Sequence, residues 1–181
     1  ETRERVLAAI DELGYRPNRL AQGLRRQRSH VIGLVTDAIA SSPFAGRLIA
    51  GAADRAGGDD YVLLVHDSHG DPGRDQGAVD ELLARQVDGL VFATMGLRAL
   101  ETLPITPLPL VLANCYQDPD THPSVVPDDA GGSRIAAETL LAAGHRRITM
   151  LGGPPPQGCD LGIRAGNVSG PVRERAFRAA T

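Results

Sequence analysis

The sequence predicts an α/β protein, a doubly wound parallel sheet preceded by two short helices. Three observations lead there. From residue 31 onward, short aliphatic runs alternate with longer stretches of helical periodicity. The runs, "VIGLVTD" at 31–37, "YVLLVHD" at 61–67 and "VDGLVFAT" at 87–94, show no apolar/polar alternation, as in strands buried on both faces. Gly, Pro and Asp punctuate the junctions between them.

Each element follows from local signals. In "TRERVLAAIDEL" (2–13), Val6, Ala9, Ile10 and Leu13 share one helical face, with Thr2 as a candidate N-cap and Gly14 at the stop. Pro17 breaks that helix, and Asn18 can cap a second short one, "RLAQGLRRQ". Strand 31–37 is followed by the helix "FAGRLIAGAADRAG" (44–57), whose Leu48, Ile49, Ala52 and Ala56 face a sheet. Next come strand 61–67, helix 73–86, strand 87–94, the strand "LPLVLANC" (108–115) and a weaker strand, "SVVPDD" (124–129). Helix 130–144, the strand "RITMLGG" (147–153) and a helix from about Val172 complete the series. "GGPPPQG" can be neither a helix nor a central strand.

Charge is unevenly distributed. The net formal charge is −3, yet residues 1–30 hold seven arginines against four acids, so a basic end is joined to an acidic body. That asymmetry points to a local polyanion contact. All 19 basic residues are arginine, which an arginine-favouring composition explains without a functional role. Cys115 and Cys159 have no metal-ligand spacing and are expected to be free thiols in a reducing compartment. No run is long enough to span a membrane, and residues 1–25 lack the apolar core of a signal peptide, so a cytoplasmic location is expected.

The chemistry-bearing patterns are few. Arg16, Arg19, Arg25, Arg26 and Arg28 surround Leu20 and Leu24 in one short segment. A solvated linker would have this composition. So would a helix whose arginines meet phosphates while an unburied leucine wedges into a minor groove. Ligands of doubly wound sheets gather at the carboxyl ends of the strands, here Asp37, Asp67, Thr94, Asn114–Tyr116 and 152–154. His145 in "GHRRI" has no nucleophile or carboxylate at a telling distance, and helix capping accounts for that motif. His66 and His69 lack further metal donors, and no phosphate-loop motif occurs. The expectation is therefore no metal, no cofactor and no enzyme activity.

"ETRERVLAAIDELGYRPNRLAQGLRRQRSHVIGLV" resembles the last headpiece helix, hinge helix and first core strand of the LacI/GalR family of bacterial transcription regulators. The similarity continues through "SSPFAGRLIAGAADRAG", "LLARQVDGLVFAT", "DDAGGSRIAAETLLAAGHRRITMLGG" and "VRERAFRAA". It implies a periplasmic-binding-protein-like core and a DNA-binding regulator, a repressor, whose operator binding responds to a small effector, a sugar, between two lobes. A homodimer is implied as well. The domains would be 1–30 (headpiece remnant and hinge), 31–128 (first lobe) and 129–181 (start of the second). Glu1 and Thr181 both fall inside helical patterns, so a fragment lacking most of the helix-turn-helix and of the C-terminal subdomain is expected.

Site residues follow from the same resemblance. Arg16, Asn18, Arg19, Ala21, Leu24, Arg25 and Arg28 would serve DNA binding, with Leu24 as the minor-groove leucine and Ala21 where two hinge helices meet. Ser42, Phe44, Asp67, Thr94, Asn114 and Arg173 would line the effector cleft, Phe44 stacking on a ring and Arg173 holding hydroxyls. Ala176 stands where the family usually has glycine, and Asn114 where many members have an acid. A periplasmic-type sugar receptor without DNA binding shares the lobes and is the alternative. It would not carry Arg16–Arg28 ahead of its first strand.

Overall fold

The computed structural model describes residues 2–14, 28–37, 39, 43–151 and 168–181. The element order is α1 (Thr2–Glu12), β1 (Val31–Thr36), α2 (Pro43–Gly58), β2 (Val62–Asp67), α3 (Pro72–Ala84), β3 (Gly89–Ala99), β4 (Leu110–Tyr116), β5 (Ser124–Val125), α4 (Asp129–Ala142) and α5 (Ser169–Ala180). The second short helix and "GGPPPQG" lie outside the described residues.

All five strands are parallel, in the order β2-β1-β3-β4-β5. Because β1 is central, the chain winds outward to β2, returns across β1 to β3, and continues to β4 and β5. The two faces are covered by different helices. Ala78, Val79 and Leu82 of α3 pack with Val35, Leu90, Phe92, Leu110 and Leu112 in one cluster. Ala45 of α2, with Leu48 beside it, packs with Ala93, Met95 and Ala113 in another. Full burial of Leu34, Leu82 and Leu112 contributes about 2 kcal/mol each.

The α3 cluster is tight across β1. A Cβ on Gly33 would come within 2.7 Å of Leu90 Cδ2 and 2.9 Å of Leu82 Cδ1, so glycine lets the helix approach the strand. Helix termini are set by side chains the sequence supplies. Asp71 Oδ1 accepts from the Gly73 N–H at the start of α3, with Pro72 as the first helical residue. Asp128 Oδ1 accepts from the Gly131 N–H at the start of α4. Gly144, at φ +87°, ends α4 as the "GHRRI" motif predicts: its N–H donates to the Leu141 carbonyl, and that of His145 to Leu140.

Three expectations change. Residues 147–151 form no strand, and Leu151 is exposed. A parallel strand needs a neighbour for its N–H and C=O groups, and β5, at the edge of the sheet, is only Ser124–Val125, between Pro123 and Pro127. In the other direction, β3 does not stop at Thr94 but runs to Ala99, with a register irregularity between Ala93 and Arg98. The expected strand 124–129 shortens to two residues for the same proline reason.

Candidate strand-end site and hinge attachment

At the carboxyl ends of the strands, polar side chains are drawn into one network. Asp37, just after β1, is 2% exposed. Its Oδ1 accepts from the Met95 N–H at 2.9 Å, and its Oδ2 accepts from Arg98 Nη2 at 2.7 Å. Both β3 partners lie beyond Thr94, which is why the strand continues past its expected end. Thr94 is fully buried, its Oγ1 2.8 Å from the Asn114 carbonyl and 2.9 Å from that of Gly96. Asn114 returns a bond from Nδ2 to the Thr94 carbonyl at 2.8 Å. Its backbone is left-handed, φ +57°, a conformation asparagine tolerates better than most residues.

Asp67, at the end of β2, uses both carboxylate oxygens locally. Oδ2 accepts from the Ile39 N–H and Oδ1 from the His69 N–H. Ser68 binds the Thr36 carbonyl through its N–H and hydroxyl, closing β2 onto β1. Cys115 lies beneath this edge, fully buried, and burial pushes its thiol up to about 11, an effect larger than the opposing hydrogen bond from Thr94. The thiol is therefore protonated and unreactive at neutral pH.

The other expected cleft residues are dispersed. Phe44, in the first turn of α2, is 45% exposed. Ser42 lies outside the described residues. Arg173, on α5, donates from Nε to Asp129 Oδ1 at 2.6 Å. Asp129 is buried at the start of α4 while half of the Arg173 side chain is exposed, leaving the rest of the guanidinium fork toward solvent. The Val168 N–H, one residue before α5, donates to the Leu97 carbonyl on β3, so the Arg173 helix docks on the same strand extension that holds Arg98. The structure thus brings Thr94 and Asn114 into direct contact, places Asp67 on the far side of β1 from them, and fastens Arg173 to α4.

Arg98, Asp37 and Asp129 were not among the expected site residues. Asp37 closes the first aliphatic run and was visible as a strand end. Arg98 follows "FATMG" and carried no motif, because its partner is 61 residues away in sequence.

At the opposite, amino end of the strands the chain enters β1. Arg16, Asn18, Arg19, Ala21, Leu24 and Arg25 lie outside the described residues, and Arg28 is exposed. Immediately after it, Asp88 of "VDG" takes three hydrogen bonds. Its Oδ1 accepts from the Ser29 N–H at 2.8 Å and the Ser29 hydroxyl at 3.1 Å, and its Oδ2 from the His30 N–H at 3.0 Å. His30 is left-handed, φ +57°, with its ring 5.0 Å from that of Tyr61. Asp88 therefore fixes the backbone of Ser29 and His30 at the entry to β1. A single acid before a glycine at a strand start was the only sequence signal for it.

Among the described residues, no group of three or more His, Cys, Asp or Glu side chains is arranged to hold a metal ion, and no helix is long and apolar enough to cross a membrane. His66 instead lies 3.9 Å from Glu81, and His69 lies 3.6 Å from Asp67.

A profile described as periplasmic binding proteins and sugar binding domain of LacI family matches residues 29–165. Catabolite control protein A of Priestia megaterium is 30% identical over 154 residues, covering 84% of this chain and 46% of that protein. The sucrose operon repressor of Escherichia coli is 34% identical over 153 residues, covering 81% and 45%. The chain thus spans about half the length of these curated relatives. A solved structure of the lac repressor dimer bound to operator and the anti-inducer ONPF superposes with a TM-score of 0.70 at 27% identity, over 99% of this chain and 52% of that one.

Proposed function

This chain belongs to the family of periplasmic binding proteins and LacI-type sugar-binding domains, and on that premise we propose that it is the sensing core and hinge of a DNA-binding transcriptional repressor controlled by a small effector. The observation that carries the reading is the junction at Ser29–His30. There Asp88 holds Ser29 and His30, which directly follow the arginine-rich, leucine-bearing segment in the sequence, at the start of the first strand of a sheet of sugar-binding-domain type. A receptor without DNA binding has no use for a cationic segment at that place. The relatives bearing regulator and repressor names support the same choice.

In this reading Arg16, Asn18, Arg19, Ala21, Leu24, Arg25 and Arg28 meet operator DNA in a homodimer, the arginines on phosphates and Leu24 between base steps. Ser42, Phe44, Asp67, Thr94, Asn114 and Arg173 serve the effector, a sugar. Residues 1–30 act as the DNA-side remnant and hinge, 31–128 as the first lobe and 129–181 as the beginning of the second. The protein works in the cytoplasm and is not an enzyme: at the strand-end site the carboxylates of Asp37 and Asp67 are engaged as hydrogen-bond acceptors and the Cys115 thiol is protonated.

The test is footprinting of the complete protein on its own upstream DNA, with and without a panel of sugars. Protection relieved or strengthened by one sugar is the expected result, and absence of protection on any DNA under every condition would overturn the proposal. Leu24→Ala in that protein should weaken operator binding by about 1–3 kcal/mol, the scale of an inserted side chain's contribution, while leaving sugar affinity unchanged.

A further inference from the structure

The last residues of β3 are held in an unusual way. Between Ala93 and Arg98 the pairing register of β3 with β4 is interrupted, and it resumes at Arg98 with Cys115 and Ala99 with Tyr116. Between its ends the stretch is held through carbonyls, that of Gly96 accepting from the Thr94 hydroxyl and that of Leu97 from the Val168 N–H, and its two ends share one carboxylate. Asp37 takes the Met95 N–H on one oxygen and the Arg98 guanidinium on the other, so both ends of residues 95–98 are tied to β1. The Arg98 and Asp37 side chains are 5% and 3% exposed. Arg98 Nε is buried too and has no hydrogen-bond partner among the described residues.

A buried ion pair with an unmet donor is a poor fastening. Desolvation offsets much of its Coulomb attraction, and the unpaired N–H adds to that cost. Beside the stretch lie Thr94, on the same strand, and Asn114 and Cys115 on β4, all buried. Thr94 and Asn114 satisfy one another through side chain and backbone, so a ligand using them must displace those bonds.

We propose that residues 95–99 are a flap over the ligand end of the sheet, latched by the Asp37–Arg98 pair, and that Arg98 is the positioning residue that governs effector admission. The proposal rests on the strand-end site being the effector site. The pair also indicates what the open edge would take. An adjacent carboxylate and guanidinium, jointly neutral, match a hydroxyl that donates to one and accepts from the other, which is the chemistry of an uncharged polyol rather than of a phosphate ester or sugar acid.

Cys115 offers a readout that needs no effector, since it is fully buried and is the register partner of Arg98. In a Cys159→Ser background, alkylation of Cys115 by iodoacetamide would be followed by mass spectrometry against urea concentration. Opening of a flap gives a labelling rate that is independent of urea well below the unfolding transition. Arg98→Met combined with Asp37→Asn, which leaves no unpaired buried charge, should raise that rate by about tenfold or more with the unfolding midpoint little changed, and Arg98→Lys alone, able to make the same single contact, should label more slowly than the double variant. If the double variant does not fold, hydrogen exchange of the wild type decides. The Leu100 N–H, bonded to Tyr116 beyond the flap, should exchange through a smaller opening than those of Leu90 and Phe92 in the body of β3. Labelling and Leu100 exchange that both track global unfolding would overturn the flap. A flap that opens as described, in a protein whose Cys115 labelling and footprint no sugar alters, would instead remove the effector reading and leave the latch standing.

Discussion

Replacing Asp88 by alanine tests how the sensing core is joined to the segment before it. The carboxylate accepts three hydrogen bonds, from two backbone N–H groups and one hydroxyl, at 2.8–3.1 Å and partly buried. Hydrogen bonds to a charged acceptor contribute about 1.5–3 kcal/mol each when buried. Ser29 and His30 are half-exposed, so water can replace part of what is lost, and about 1 kcal/mol per bond is the better figure here. The sum is a loss of about 2–3 kcal/mol. With a urea slope of about 2 kcal/mol/M for a chain of this size, the midpoint should fall by about 1–1.5 M at unchanged slope. Asp88→Asn keeps one acceptor oxygen and should lie between the two. Hydrogen exchange should localise the damage, since the Val31 N–H, held by Ser29 Oγ, and the Val62 N–H, held by the His30 carbonyl, would lose protection before the centre of β1. A midpoint for Asp88→Ala within about 0.2 M of wild type would refute the reasoning, because it would mean that the three contacts contribute nothing net.

Three further perturbations follow. Gly144→Ala should destabilise by about 1 kcal/mol in a denaturant titration, because the residue ends α4 at φ +87°, where a Cβ is strained. Gly33→Ala should cost about 1–3 kcal/mol, since its Cβ would meet Leu82 and Leu90 inside 3.0 Å; repacking of those flexible Cδ atoms favours the lower end, and an unchanged midpoint would show the approach of α3 to be looser than described. The third concerns pH. Cys115 has its thiol raised from 9.0 to about 11 by burial, so the folded state holds its proton longer than the unfolded state. Its contribution is fully present below pH 9 and is lost as pH rises, reaching about 2 kcal/mol at pH 11. Comparing wild type with Cys115→Ala from pH 8 to 11 isolates this loss from tyrosine titration, and the chain has no lysine to confuse it. Parallel curves for the two proteins would sink the assignment.

Much of the fold was legible because its signals are local. Uninterrupted runs such as "VIGLVT" and "VLLVHD" read as parallel strands with helices between them, although β2, at the edge of the sheet, is only partly buried and Val62 is exposed. Gly144 was readable as a helix stop because αL termination depends on one residue's backbone. The strand expected at 147–153 is not formed over its described residues, 147–151, for the complementary reason, since propensity cannot supply a hydrogen-bonding neighbour. Thr94 and Asn114 were found as strand ends, yet nothing local indicated that each would satisfy the other across 20 residues.

The sequence by itself determined the alternation of strands and helices, the apolar faces, the basic segment ahead of β1 and the resemblance that gave those features a use. Each is written in neighbours a few residues apart. Only the tertiary structure decided that Asp88 clamps Ser29 and His30 from 58 or 59 residues away, that Arg173 is held by Asp129, and that Asp37 reaches across the sheet to Met95 and Arg98. The partners of a buried or half-buried charge are chosen by strand order and register. In a parallel sheet every neighbour is reached through a crossover, so these pairings join positions that are distant in the chain.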